Sequence, residues 1–139
     1  MGNNEIFVDT NLFLSYLTND VPEQADAVEN ILRKAKNGEV NLTTNSLVIA
    51  EIVWTLESYY ELPREEIQQK ILAILNTPGL EVVESSLVLQ AILWYVEENV
   101  DFIDAYNGAW MLTQGIKTTY TFDHNHFSRL GGLDVRVPG

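Results

Sequence analysis

Two aspartates in this chain directly follow short, strand-forming runs. Asp9 follows the apolar run Ile6-Phe7-Val8, and Asp123 follows Thr121-Phe122. Because open parallel sheets bind ligands outside the carboxyl ends of their strands, we expect both carboxylates at one edge of a sheet. An Asp between a strand and a helix is more often a helix cap, since its oxygens accept backbone N–H bonds. A functional role for either aspartate therefore depends on other acids meeting it there.

Two further acids stand at unusual places. Glu51 is the single charge in the otherwise apolar run 47–54. A carboxylate is rarely buried unless it is paired or binds a metal, so Glu51 either binds a cation or reaches solvent at a groove edge. Asp104 lies in the first turn of a predicted helix, where complementing the helix dipole is the alternative to ligand binding. Together with the strand-end aspartates, these residues make four acids from distant positions.

Four clustered carboxylates predict a site for a divalent cation. Negative charges held close together repel one another, and oxygen ligands suit hard cations such as Mg²⁺ and Mn²⁺. Two such cations, roughly 4 Å apart, would clamp a phosphodiester and activate water. The hypothesis from these residues is metal-dependent hydrolysis of a phosphodiester.

The bulk composition is compatible with that chemistry. The chain has 139 residues, 46% of them hydrophobic, which predicts a single folded domain over residues 1–139. Its net charge of −12 speaks against phosphate binding through Lys and Arg. This charge does not exclude a nuclease, because bound cations can contact the phosphate, and it suits a basic protein partner.

The cysteine content and the absence of targeting patterns bear on redox chemistry, metal binding and cellular location. The absence of Cys excludes disulfides and thiol catalysis, and favours a cytoplasmic location. No apolar run reaches the ~18 residues of a membrane-spanning helix, and the N-terminus does not resemble a signal peptide. His124 and His126 have a spacing that could bind zinc, but without Cys or a third His we predict a solvent-facing loop.

Strand and helix patterns alternate along the chain. An α/β fold with crossover connections and a mostly parallel sheet is therefore predicted. The apolar run Ile6 to Val8 suits a strand buried on both faces. Strands are predicted at residues 6–8, 40–43, 80–83, 117–122 and 134–137, and helices at 12–17, 23–36, 47–60, 64–76, 87–98 and 101–115.

The third predicted helix is too apolar for packing on one side in a small domain. Val53 and Trp54 lie in it, and Tyr59 and Tyr60 extend it. Apolar surface of this kind usually marks an interface. We therefore predict a homodimer, partly through the helices around Trp54 and Trp94.

With these motifs in order, the chain resembles the PIN-domain ribonucleases. The resemblance is closest to the VapC-type toxins of prokaryotic toxin–antitoxin pairs, and it covers essentially the whole chain. Each motif alone is weak, whereas the four in this order are fairly specific. They are Phe7-Val8-Asp9-Thr10-Asn11, Ala50-Glu51, Asp101-Phe102-Ile103-Asp104-Ala105 and Thr121-Phe122-Asp123.

The resemblance implies a three-layer α/β/α fold with strand order 3-2-1-4-5. It also implies RNA cleavage dependent on Mg²⁺ or Mn²⁺, dimerisation, and inhibition by an antitoxin. Because the net charge is −12, we expect such a partner to bring basic residues into the acidic groove. By motif match, the metal-binding catalytic residues are Asp9, Glu51, Asp104 and Asp123, and the supporting residues are Thr10, Asn11 and Thr121.

Two departures from the family pattern bear on the metal site. Asn125 stands where family members often carry a second Asp, and Phe127 comes one residue late. A second metal is therefore expected to bind weakly. Asp101 is a reserve ligand, since it shares a helix face with Asp104.

Two other functions compete with the ribonuclease. A phosphatase of the haloacid-dehalogenase type would use Asp9 as nucleophile, but it needs a second Asp at position 11, where this chain has Asn11. A catalytically silent PIN-fold binding module is the second rival. The presence of all four acids argues against it.

Overall fold

The structure, a computed structural model, describes residues 5–122 and 124–139, and for His124 the backbone alone. Asp123, a predicted metal ligand, lies outside the described residues. The elements in chain order are β1 (Glu5–Phe7), α1 (Thr10–Thr18), α2 (Pro22–Lys36), β2 (Asn41–Thr44), α3 (Ser46–Ser58), α4 (Arg64–Leu75), β3 (Leu80–Val82), α5 (Ser85–Glu97), α6 (Phe102–Thr113), β4 (Thr118–Tyr120), α7 (His124–Phe127) and β5 (Asp134–Arg136).

The predicted fold class is confirmed, since strands alternate with helices and every recorded strand pairing is parallel. The chain divides into two compact units, an N-terminal unit (Met1–Ser85) and a C-terminal unit (Ser86–Gly139). The N-terminal unit holds the sheet β1-β2-β3, and the C-terminal unit pairs β4 with β5. The order 3-2-1 and the pair 4-5 agree with the expected topology. The predicted neighbourhood of β1 and β4, and the single domain, stay predictions.

In the N-terminal unit, α3 lies at the centre of the core. The Asn45 side chain accepts a 3.1 Å hydrogen bond from the Val48 backbone N–H, which caps the helix at its first turn. From there Ile49, Ile52 and Leu56 recur at helical spacing and are fully buried. Ile67 and Ile71 of α4 are equally buried, and α3 packs against α4.

The end of β1 is held at Val8, the residue that leads to Asp9. The Val8 backbone N–H donates to the Thr43 carbonyl at 2.8 Å, and the Thr44 hydroxyl donates to the Val8 carbonyl at 2.9 Å. Val8 and Thr44 are both buried. These bonds fix the backbone immediately before Asp9.

The prediction that β1 is buried on both faces was wrong. Ile6 is 43% exposed and Phe7 is 55% exposed. The physical reason is position in the sheet of the N-terminal unit, where β1 is the outermost strand of the order β1-β2-β3 and pairs with β2 on one side. Its apolar side chains therefore remain partly exposed, although the run has the composition of a buried strand.

The apolar third helix is partly explained by the core. Val53, which we assigned to an interface, is 3% exposed and packs inward. Leu47 and Trp54 are exposed, with 79% and 65% of their surfaces accessible, and lie seven residues apart on one face of α3. The apolar residues of α3 therefore form two faces, one that packs in the core and one that is exposed, and the sequence pattern did not distinguish them. No helix among the described residues is long and apolar enough to cross a membrane.

Candidate functional site

Asp9 sits between β1 and α1, at the carboxyl end of the strand. It occupies the N-cap position of α1 with an extended backbone (φ −86°, ψ 166°), and its side chain is exposed. Within residues 5–122 and 124–139, its carboxylate makes no capping bond to α1. The helix-cap alternative is therefore not realised at Asp9, and its carboxylate is directed to other interactions or to solvent.

Glu51 is linked to the start of α1 by one short hydrogen bond. The Thr10 hydroxyl donates to Oε1 of Glu51 at 2.5 Å, and Thr10 itself is 4% exposed. A bond to a carboxylate from a buried donor fixes the orientation of the acceptor. Glu51 is exposed, so its carboxylate is open to solvent, and binding of a cation by Glu51 stays a prediction. The N-terminal unit thus places Glu51 beside Thr10, the residue after Asp9.

A cavity of about 570 Å³ lies beside Asp9 within the N-terminal unit. Asp9 and Asn11 supply polar groups to its lining. The remaining wall is mostly apolar and includes Phe7, Leu12 and Val28. Because few polar groups line it, the cavity suits a flat or apolar group better than a phosphate.

In the C-terminal unit, three ligand-type side chains meet at the start of α6. Nδ1 of His126 lies 3.1 Å from Oδ2 of Asp104 and 3.4 Å from Oδ2 of Asp101. One ligand atom from each residue lies within 4.8 Å of the other two. The Asp104 and His126 side chains are about three-quarters buried, at 24% and 23% exposed, whereas Asp101 is 57% exposed.

The prediction that His126 lies in a loop and faces solvent was wrong. It belongs to α7, a single turn, and its ring faces Asp101 and Asp104. A four-residue helix shows no periodicity, so the sequence pattern could not reveal it. The available signal was Phe127, the 8% exposed neighbour that anchors the turn.

The donor set fits a divalent cation. Carboxylate oxygens are hard ligands that suit Mg²⁺ and Mn²⁺, and an imidazole nitrogen adds affinity for transition metals. Adjacent ligands in a six-coordinate site with bonds of ~2.1 Å stand about 3 Å apart, which matches the 3.1 Å between His126 and Asp104. This arrangement can hold a cation or, without one, a proton between the ring and a carboxylate.

The remaining predicted residues are placed as follows. The Thr121 backbone N–H donates to the Arg136 carbonyl at 3.0 Å, which extends the pairing of β4 with β5. Asn125 is exposed in α7. Asp123 lies outside the described residues. The structure brings Thr10 to Glu51, and Asp101 to Asp104 and His126; convergence of all four acids on one cation stays a prediction.

Comparisons with known proteins bear on the family. The family model of the PIN domain matches residues 6–133. A VapC ribonuclease of Aquifex aeolicus (strain VF5) is 27% identical over 124 residues, covering 89% of this chain and 90% of that protein. With a match over most of its length and an α/β fold of parallel strands, this chain belongs to the PIN domain family.

Proposed function

We propose that this protein is a metal-dependent endoribonuclease, and that it serves as the toxin of a toxin–antitoxin pair. The observation that carries the proposal is the cluster of Asp101, Asp104 and His126 at the start of α6 in a chain of the PIN domain family. Similarity to a VapC ribonuclease supports RNA as the substrate and an antitoxin as a partner.

In this proposal Asp9, Glu51, Asp104 and Asp123 together hold Mg²⁺ or Mn²⁺. When bound, the cation neutralises charge on the phosphate and activates the attacking water. Thr10 orients Glu51 through its hydroxyl, and the end of β1 positions Asp9 through the buried bonds of Val8. Asn11, Thr121 and Asn125 support the acids, and Asp101 is available as a further ligand.

The direct test is cleavage of single-stranded RNA by the purified full chain. We expect cleavage with Mn²⁺ or Mg²⁺ and none with EDTA. The carboxylates alone can neither neutralise charge on the phosphate oxygens nor activate water as a bound cation does. The readout is the appearance of RNA fragments on a gel over time. Cleavage that persists in EDTA would refute the proposal. Metal binding without any cleavage would indicate a silent binding module.

We expect the affinity for RNA to rise when the divalent cation binds. The chain carries 20 acidic residues and eight Lys and Arg, so its long-range field repels a polyanion. We expect weak binding without metal, stronger binding with Mg²⁺ or Mn²⁺, and a shallow decline with added monovalent salt, since few phosphates meet basic side chains. The measurement is RNA affinity across metal and salt concentrations, using a variant that binds metal and does not cleave. Tight, steeply salt-dependent binding in EDTA would contradict this expectation.

We also propose that the protein forms a homodimer through the exposed face of α3. Leu47 and Trp54 offer apolar surface there, and burying such surface stabilises association. Trp54→Glu is expected to convert the dimer to a monomer in light scattering at high micromolar concentration. Trp110→Glu is the matched control, because Trp110 is another half-exposed tryptophan at 45%. A wild-type protein that is already monomeric would contradict the proposal.

A further inference from the structure

His126 Nδ1 is surrounded by polar groups of two aspartates. Oδ2 of Asp104 lies 3.1 Å away, Oδ2 of Asp101 lies 3.4 Å away, and the Asp101 backbone nitrogen lies 3.3 Å away. We propose that His126 is a positioning residue, which donates its Nδ1–H to Asp104 and holds this carboxylate in the orientation that binds the cation. The inference rests on the proposed function, in which Asp104 is a metal ligand.

The location of the proton on Nδ1 follows from the neighbours. Nδ1 can accept a bond from the Asp101 backbone N–H, or it can donate to Asp104, but one nitrogen cannot do both. An Nδ1 lone pair facing Asp104 would be repelled by a carboxylate oxygen 3.1 Å away, and the Asp101 carboxylate would add to that repulsion. Donation to a charged oxygen is the stronger bond, so the proton belongs on Nδ1.

The packing of α7 anchors the backbone that carries the His126 ring. Phe127 follows His126 and is 8% exposed, and Leu130, just after the helix, is 3% exposed. The helix α7 packs against α6, which carries Asp104 in its first turn. Because these buried residues follow His126 in the chain, the backbone that carries the ring is anchored independently of the bond to Asp104.

A hydrogen bond from the His126 ring can fix the orientation of the Asp104 carboxylate. Ligating carboxylates are commonly hydrogen-bonded by outer partners, and losing such a partner typically lowers metal affinity about 10- to 100-fold. Here the partner binds Oδ2 of Asp104. With that oxygen engaged, the carboxylate is held in one orientation before the cation arrives, despite repulsion from Asp101. The cation then meets a site that needs little further ordering.

The test compares the affinity of the full chain for Mn²⁺, measured by electron paramagnetic resonance. His126→Ala is expected to weaken binding about 10- to 100-fold. His126→Asn is expected to restore most of the affinity, because the Asn amide nitrogen is as many bonds from Cβ as Nδ1 is. His126→Gln places its amide nitrogen one bond further and should restore little. Gln114→Ala is the control, because Gln114 is exposed and follows α6 at the end opposite to Asp104, and it should leave the affinity unchanged.

The outcomes separate this inference from the proposed function. Equal Mn²⁺ affinity in wild type and His126→Ala, with RNA cleavage intact, would overturn the positioning role alone. A strong coupling between Mn²⁺ and a ¹⁴N nucleus of His126 would also overturn it, since the ring would then be a direct ligand. A wild-type protein that neither binds Mn²⁺ nor cleaves RNA would overturn the proposed function, and this role with it. Recovery in His126→Asn but not in His126→Gln supports the role, because a general loss of folding would affect both.

Discussion

Asp9→Asn is expected to lower the rate of RNA cleavage at least ~1,000-fold, which corresponds to about 4 kcal/mol. The amide is close in shape to the carboxylate but carries no charge, so it binds a divalent cation less strongly. Asn is as good a helix cap as Asp, so any loss reports on charge rather than on capping. The measurement is kcat/KM on a fluorescent RNA at saturating Mn²⁺.

Asp26→Asn provides the control, because Asp26 is an exposed residue of α2 and the charge change is the same. Its cleavage rate should match that of wild type. In EDTA, the melting temperature of Asp9→Asn should equal or exceed that of wild type, since one negative charge has left a chain of charge −12. Equal loss of cleavage in both variants would show that Asp9 has no special role. A lower melting temperature in Asp9→Asn alone would indicate a structural role for its carboxylate.

Gly79→Ala is expected to destabilise the protein by about 3 kcal/mol. Gly79 precedes β3 with φ +78°, and a Cβ placed there would collide with the carbonyl group of Ala35 in α2. The Gly79 carbonyl also accepts a 2.9 Å bond from Leu42 of β2, so the backbone cannot move away freely. Left-handed strain and a backbone clash therefore add. The measurement is the free energy of unfolding in urea, followed by circular dichroism.

Gly38→Ala separates the two contributions. Gly38 has a similar backbone, φ +81°, but a Cβ there would meet no described atom within 4 Å. This variant should lose only the cost of the left-handed backbone, about 1 kcal/mol. Equal losses in the two glycine variants would mean that the approach of Gly79 to Ala35 does not constrain the fold.

The sequence predicted element types well because apolar periodicity is a local property. The helix starts at Pro22 and Asn45 also follow from local chemistry, a fixed φ in one case and a capping side chain in the other. The exposure of β1 does not follow from local chemistry, because it depends on which elements lie beside the strand. Likewise, the apolar run of α3 showed how many large side chains it holds, but not that Val53 faces the core while Trp54 is exposed.

For the candidate site, residue types were easier to identify than contacts. Asp101 and Asp104 were predicted as neighbours because three residues make nearly one helical turn. The bond from Thr10 to Glu51 joins residues 41 positions apart, and the bond between His126 and Asp104 spans 22. No local pattern encodes such distances. His126 was missed for that reason, although its position beside the large apolar residue Phe127 was visible in the sequence.

The division into two units has a consequence for protein synthesis. Asp9 and Glu51 belong to the N-terminal unit, whereas Asp104 and Asp123 come after Ser86. The pairings of β1, β2 and β3 are complete at Val82, so that sheet can form while the rest of the chain is still being translated. A nascent chain that stops at Ser85 lacks half of the proposed acids. Ribonuclease activity of the proposed kind therefore arises only once the segment that carries Asp104 and Asp123 has left the ribosome.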